Sequence, residues 1–256
     1  MQSSERTGRV NEPTHLVPVF AEVDATICRL AAKDFLTDPV VKGRYSRITS
    51  IVSSAYKCHG AIIEEAFVAA LKESPHLSVW AEPDFRVSAA AERLADADAT
   101  ASSSTLSYLE SAYERVPQVD LLVFDSRNKR LGSHECKRGF GYHDSGKKRS
   151  MLRDLRCVEM LLKSYGEGRG LDVNRAEARI IFYYGTCSVG SPWALTRADL
   201  DTHFGAPVTE SIEEVNQYFR SRLNALLASV EATGFRVEPI EDLVSEGPVS
   251  EFPASA

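Results

Sequence analysis

Two acidic side chains and a lysine are spaced in a way that could hold a divalent metal ion. Asp120 lies in an apolar, strand-like run, and Glu135 and Lys137 end a second such run over residues 131–137. The polar residues 126–129 between the two runs are typical of a turn. This segment is therefore predicted to form a β-hairpin.

The predicted hairpin brings the charged residues together. If it is centred on the middle of the 126–129 turn, residues whose numbers sum to 255 pair, and Asp120 lies opposite Glu135. Side chains alternate along a strand, so Glu135 and Lys137 share one face while Cys136 points to the other. Because two opposed carboxylates repel, a bound cation explains their placement better than folding does. We expect a metal site at this end of the hairpin.

The pattern of Asp120 followed by Glu135-Cys136-Lys137 resembles the motif of the PD-(D/E)XK nuclease superfamily. It departs from that motif at the proline, because Pro117 stands three positions before Asp120. The resemblance implies hydrolysis of DNA phosphodiester bonds with Mg²⁺, for which Mn²⁺ can substitute. It gives catalytic roles to Asp120, Glu135 and Lys137. It also implies that Asp120, Glu135 and the backbone carbonyl of Cys136 bind the metal.

A further metal ligand is expected from an upstream helix. Residues 57–67 have apolar side chains at helical spacing, flanked by Glu64 and Glu65. The superfamily often places a glutamate on its first core helix four residues after a glycine, and Gly60 and Glu64 match that spacing. We assign the role to Glu64, with Glu65 in reserve. The alternative is that both are solvent-facing carboxylates.

The elements that must position these residues are predicted in the order helix, three strands, helix, strand. The first strand is expected over residues 77–87, around Trp80, and the hairpin supplies the next two strands. Helical periodicity over residues 147–165 and a buried apolar run over 178–184 follow. The predicted fold is α/β, a restriction endonuclease-like αβββαβ core with a mixed central sheet flanked by helices, spanning about residues 48–187.

The whole chain of 256 residues is predicted to form one domain. Residues 89–104 are interpreted as a partly helical insertion, and about 188–244 as a helical C-terminal elaboration. The tails, about 1–12 and 245–256, are expected to be disordered. One apolar helical stripe of the elaboration packs on its own domain or, as an alternative, forms a dimer interface. That stripe consists of Ile212, Val215, Phe219, Leu223, Leu226 and Val230.

Positive charge is concentrated around the predicted site. The chain has a formal net charge of −6, yet residues 127–156 contain ten Lys or Arg against three acids. Such a segment is suited to contacts with DNA phosphates, although a solvated basic helix face is the simpler alternative. The residues predicted to bind DNA are Arg138, Lys147, Lys148, Arg149 and Arg153.

Composition and targeting signals place limits on the class of protein. The five cysteines are scattered without a C-x-x-C pair and are interpreted as reduced thiols. No run of about 18 apolar residues and no signal peptide is evident, so a cytoplasmic protein with no membrane partner is expected. His134, on the pleat opposite Glu135, is interpreted as structural or solvent-facing.

The leading functional hypothesis is a type II restriction endonuclease that cuts a specific duplex DNA sequence. It implies double-stranded DNA as the partner, a homodimer, and a possible cognate DNA methyltransferase. One alternative with the same chemistry is a repair, recombination or phage-defence nuclease that recognises DNA structure or ends. Another is a non-catalytic DNA-binding module of the same fold.

Overall fold

The computed structural model describes residues 13–41, 43–97, 105–108, 113–117 and 119–233. Both predicted tails, the end of the 89–104 insertion and residues 234–244 of the elaboration lie outside these ranges. A short 3₁₀ helix, Thr14–Leu16, precedes the first α-helix. The α-helices are α1 (Val17–Ala32), α2 (Arg44–Lys72), α3 (Ala89–Asp96), α4 (Ser145–Gly168), α5 (Arg197–Phe204) and α6 (Val208–Thr233). None of these helices is long and apolar enough to cross a membrane.

A five-stranded mixed sheet forms the centre of the fold. The strands are β1 (Leu77–Trp80), β2 (Val87–Ser88), β3 (Tyr113–Arg115), β4 (Leu121–Asp125), β5 (Arg130–Lys137), β6 (Arg175–Phe182) and β7 (Ala194–Thr196). The order in the sheet is β1-β4-β5-β6-β7, and β2 and β3 form a separate two-stranded ribbon. β1, β4 and β5 run antiparallel, whereas β6 is parallel to β5 and β7 is parallel to β6. The prediction of an α/β fold with a mixed sheet flanked by helices is confirmed.

Each face of the sheet buries its own apolar cluster. Leu121 and Val123 of β4 pack with apolar residues of α1, α2, α5 and α6 on one face. Leu122 and Phe124, the alternate residues, pack with α3 and α4 on the other. This alternation is why β4 is buried at every position, because a strand between two helical layers has no solvent face. The sheet is thus the middle layer of three.

The predicted first strand is too long. β1 ends at Trp80, and Val87 belongs to β2 in the separate ribbon. Pro83 lies in the turn between them, where its ring removes the backbone donor that a continuing strand would need. The other predicted core elements occur near their expected positions, and α2 and α4 extend beyond them at both ends.

The apolar stripe of the C-terminal elaboration is used within the chain. Ile212, Val215 and Phe219 are buried in the cluster that includes α1 and α2. α6 begins at Val208, and the backbone N–H of Thr209 donates to Asp201 Oδ1 at 2.8 Å. That carboxylate satisfies a donor in the first turn of the helix. The stripe therefore packs on its own domain, the first of the two alternatives.

A side-chain-capped turn sets the register of the β4–β5 hairpin. Asp125 Oδ1 accepts hydrogen bonds from the backbone N–H groups of Arg127 (3.0 Å) and Asn128 (3.2 Å). Its Oδ2 accepts one from Asn128 Nδ2 at 2.7 Å. Lys129, with φ of 49°, completes the turn in the left-handed region. The Asp125 carboxylate thus accepts the hydrogen bonds that a backbone carbonyl accepts in other turns.

We expect Asp125→Ala to lower the free energy of unfolding by roughly 2 kcal/mol at pH 7, because the turn loses three hydrogen bonds to a buried carboxylate. Burial alone would raise the pKa of Asp125, but its hydrogen bonds with Asn128 and Arg127 outweigh burial and lower it. This contribution is present above the ordinary aspartate pKa and is lost as the pH falls through the lowered value. Urea unfolding of the wild type and Asp125→Ala should therefore converge below about pH 4. A constant difference down to pH 2 would contradict this.

Candidate active site

The hairpin pairs as the sequence predicts. Leu121 pairs with His134 and Asp125 with Arg130, so paired residue numbers sum to 255. Asp120 immediately precedes β4, and continuing this register places it opposite Glu135. Asp120 is half-buried, at the end of an interior strand. Two strand ends thus bring these two carboxylates to one place.

Lys137 is paired with Glu135 on the same face of β5. Its Nζ is in direct contact with Glu135 Oε1. The two side chains are 27% and 21% exposed, respectively, so a ligand in solvent can reach them. β5 is hydrogen-bonded to β4 on one side and to β6 on the other. The ion pair is therefore supported by an interior strand of the sheet.

α2 supplies a third carboxylate. Burial raises the pKa of Glu64, and the charge of Asp120 raises it further, whereas Lys137 acts in the opposite direction. Glu64 is thus within electrostatic reach of the hairpin residues. Glu65 is exposed, and its pKa is raised by burial and by Glu22 of α1. The structure brings Glu64, and not its neighbour, to Asp120, Glu135 and Lys137.

Cys136 lies on the opposite face from Glu135, as predicted. Its side chain packs against the apolar cluster of α1, α2 and α6. Burial raises the pKa of the Cys136 thiol, and the nearby carboxylates of Glu64 and Asp120 add to the effect. Since only the thiolate is a good metal ligand, the side chain is unsuited to bind a metal. The predicted role of its backbone carbonyl stays a prediction.

The donor set suits a hard divalent cation. Asp120, Glu135 and Glu64 offer carboxylate oxygens, which are the ligands that Mg²⁺ and Mn²⁺ prefer. Burial is the largest cause of the raised pKa of Glu64, and repulsion by Asp120 and Glu135 adds to it. A bound cation would relieve that repulsion. These residues therefore fit the metal that the motif implies.

The predicted DNA-binding residues fall into three environments. Lys147, Lys148 and Arg149 are the third to fifth residues of α4, close to its cap Asp144. Cations at a helix N-terminus oppose the helix dipole, so this placement is not explained by helix stability. Arg153 is different, because it forms ion pairs with Asp96 at 2.6 Å and Glu92 at 3.2 Å of α3. Its charge is already compensated within the protein.

Arg138, the remaining predicted DNA contact, is surrounded by aromatic rings. Its guanidinium carbon lies 4.2 Å from the ring centroid of Tyr56, 5.3 Å from that of Phe140 and 5.5 Å from that of Tyr184. No local pattern predicts this arrangement, because the rings come from α2, the loop after β5 and the turn after β6.

A buried charged network on the other face of β5 was also missed. His134 Nε2 lies 3.3 Å from His203 Nε2, which is 3.1 Å from Glu177 Oε1. Such a His-Glu-His group could hold a metal ion. However, the Glu177 carboxylate also contacts Arg130 at 3.4 Å and Arg179 at 3.1 Å, so its charge is compensated without one. The alternating charges of β6 are the sequence signal that could have revealed it.

The same network agrees with a structural role for His134. Burial lowers the pKa of His134 to about 3, so the imidazole is neutral near pH 7. Burial alone would raise the pKa of Glu177, but His203, Arg130 and Arg179 lower it to about 2. The network joins β5, β6 and α5 behind the candidate active site.

Comparison with known proteins identifies no relative. No protein-family model matches the chain, and neither a curated protein nor a solved structure is significantly similar to it. The likeness to the PD-(D/E)XK superfamily stays a hypothesis that depends on the motif and the site geometry.

Removing the charge of Asp120 should lower the pKa of Glu64, because Asp120 is the charged group that raises it most. Lys137→Met should raise the same pKa, since the ammonium group stabilises the ionised form. Carboxyl ¹³C chemical shifts followed through a pH titration of wild type, Asp120→Asn and Lys137→Met measure both effects. Glu22→Gln is the control, as Glu22 influences Glu65. An unchanged Glu64 pKa in both test variants would show that these groups do not converge.

Gly60 leaves a gap on α2 beside the carboxylates. Tyr56, Gly60 and Glu64 lie four residues apart along one row of the helix. A Cβ added at Gly60 would meet no atom within 4 Å. Gly60→Ala should therefore raise the free energy of unfolding by about 0.5–1 kcal/mol, the difference in helix propensity. Urea unfolding measures it, with Gly166→Ala as a destabilised counterpart, since its Cβ would lie 2.7 Å from Leu131 and Val173. A lower free energy of unfolding in Gly60→Ala would mean that other atoms occupy the space beside Gly60.

Proposed function

We propose that the protein is a metal-dependent endonuclease that hydrolyses phosphodiester bonds in DNA. The observation that carries the proposal is the convergence of Asp120, Glu135, Lys137 and Glu64 at one end of the β4–β5 hairpin. Two opposed carboxylates and a third from a helix repel one another, and Lys137 compensates only part of their charge. A bound cation would compensate the rest and would also attract a phosphodiester.

The arrangement of the core supports the same proposal. α2, β1, β4, β5, α4 and β6 follow one another as helix, three antiparallel strands, helix and parallel strand, with the β2–α3–β3 segment inserted after β1. This is the order that the superfamily resemblance implies. Asp120 immediately precedes β4 and Glu135 lies on β5, the two strands of the predicted hairpin.

In the proposed reaction, Asp120, Glu135 and the carbonyl of Cys136 would hold Mg²⁺, with Glu64 as a further ligand. When bound, the metal would lower the pKa of a water molecule and compensate negative charge on the phosphate. The Lys137 ammonium group, fixed by Glu135, orients the attacking water or donates to a phosphate oxygen as charge develops there. The partial exposure of both side chains gives the substrate access.

The basic end of α4 supports DNA as the polymer that is cut. Lys147 and Arg149 are exposed, and the helix N-terminus itself attracts anions. These groups can contact phosphates on either side of the scissile bond, independently of sequence. Of the predicted DNA contacts, Arg153 contributes least, because Asp96 and Glu92 already neutralise it.

The finer hypothesis of a type II restriction endonuclease, with a homodimer and a cognate methyltransferase, stays a prediction. Since the α6 stripe is buried within the chain, a dimer would need another surface. The alternative of a nuclease that recognises DNA structure is favoured by the aromatic residues around Arg138. The non-catalytic module is least favoured, because each catalytic group of the motif is in place.

Asp120→Asn and Lys137→Met should each lower Mg²⁺-dependent DNA cleavage at least about a hundredfold, because each removes one charged group from the metal or phosphate site. Cleavage is measured on plasmid and oligonucleotide substrates with Mg²⁺ or with EDTA. Glu65→Gln on α2 and Lys163→Met on α4 are the matched controls. They remove one negative and one positive charge, respectively, outside the candidate site, and they should retain the wild-type rate. Full-rate cleavage by either test variant, with its fold intact, would refute the assignment.

A further inference from the structure

Three exposed aromatic rings surround Arg138 next to the candidate active site. Tyr56, Phe140 and Tyr184 are 49%, 74% and 40% exposed, respectively. We call these three rings and Arg138 the aromatic surface. Solvent exposure of several large rings at one place is unfavourable, and it marks a binding site more often than isolated exposed residues do.

The cation at the centre of this surface has no anionic partner in the described part of the chain. Arg138 packs against all three rings, at 4.2–5.5 Å from their centroids, and forms no ion pair with a described carboxylate. Its Nε is buried without a hydrogen-bond acceptor among the same residues. A partly buried, uncompensated guanidinium between aromatic faces is suited to an anionic ligand that also carries flat rings.

The backbone fixes the aromatic surface to the proposed catalytic strand. Tyr183 N–H donates to Lys137 O at 3.0 Å, and Tyr184 N–H donates to Arg138 O at 2.9 Å. The chain turns at Gly139, where φ is 66° and an added Cβ would lie 2.8 Å from Phe182. This tight turn directs the chain away from the sheet immediately before Phe140. Tyr56 lies on α2 about 12 Å along the helix from Glu64.

The ring of Tyr184 is held in place from behind. It stacks over the buried imidazole of His59, with centroids 6.2 Å apart and an interplanar angle of 23°. His59 in turn stacks on Phe219 at 4.7 Å and has its Nε2 2.9 Å from Asn216 Oδ1. The Tyr184 ring is therefore preorganised, and its side chain would lose little conformational entropy when a flat ligand binds.

Nucleobases that are not stacked in a duplex fit this chemistry. Their faces stack on aromatic rings and on arginine planes, whereas a continuous duplex presents only base edges and phosphates. Protein interfaces are also rich in Tyr, Phe and Arg. However, the uncompensated Arg138 and the exposed cations of α4 favour a polyanion over a neutral protein partner.

We propose that the aromatic surface binds unpaired bases beside the scissile phosphate, so that the substrate is DNA with a single-stranded segment and not an uninterrupted duplex. This inference rests on the proposed nuclease function, and it names the substrate class of the same site. Stacking is sequence-tolerant, so the enzyme would select the local structure of the DNA.

The test measures binding separately from cleavage. Binding of the Asp120→Asn protein in EDTA is followed by anisotropy with a single strand, a flapped duplex and a blunt duplex. We expect about tenfold tighter binding of the first two DNAs, and loss of about tenfold of that affinity in Tyr56→Leu or Phe140→Leu. Neither substitution should change the affinity for the blunt duplex. Quenching of 2-aminopurine in the unpaired segment reports stacking directly.

Tyr45→Leu is the matched control. Tyr45 is 58% exposed on the same helix, with the Arg44 guanidinium carbon 4.8 Å from its ring centroid, but it lies about 16 Å along α2 from Tyr56. Equal affinity for all three DNAs, or an equal loss in Tyr45→Leu, would overturn the inference. Equal wild-type cleavage of blunt and flapped duplexes with Mg²⁺ would also overturn it while leaving the nuclease function intact. Selective binding of unpaired DNA without cleavage of any substrate would instead refute the nuclease function.

Discussion

The register of the β4–β5 hairpin is the constraint on which the candidate site depends. Side chains alternate with a period of two, so a slip of one residue would send Glu135 and Lys137 to the face of α1, α2 and α6. Their places on the other face would pass to Cys136 and His134. Asp125 prevents this by capping the turn, and the two apolar clusters prevent it by requiring different residues on each face.

The fold keeps like charges together at this site because rigid elements position them. β5 has a hydrogen-bonded neighbour on each side, α2 is packed on a large apolar cluster, and α4 packs on the other face. None of these elements can move without losing core contacts. Asp120, Glu135 and Glu64 therefore stay close together despite their repulsion, because the folded structure cannot rearrange to separate them.

Local patterns predicted much of this arrangement. The hairpin was predictable because its turn, its register and its charged residues lie within eighteen positions, from Asp120 to Lys137. The apolar spacing of α2 likewise gave the helix that carries Glu64. The first strand was predicted too long because an apolar pattern continued past Pro83, where the backbone turns into a separate ribbon. The rings around Arg138 come from distant segments, and no local pattern in the sequence joins them. The alternating charges of β6 pointed to Glu177, but not to the two histidines that contact it from β5 and α5.

The hydrogen-bonded ladder that continues from Lys137 to Arg138 has a consequence for the products. In the proposed complex, Lys137 at the end of β5 would position the reacting phosphate and Arg138, the next residue, the stacked base. The backbone N–H groups of Tyr183 and Tyr184, just after β6, are hydrogen-bonded to both positions. A nucleotide chain bound at both points would span a fixed length. The protein would then act as a ruler, cutting at a constant offset from the junction between paired and unpaired DNA and leaving ends of uniform length.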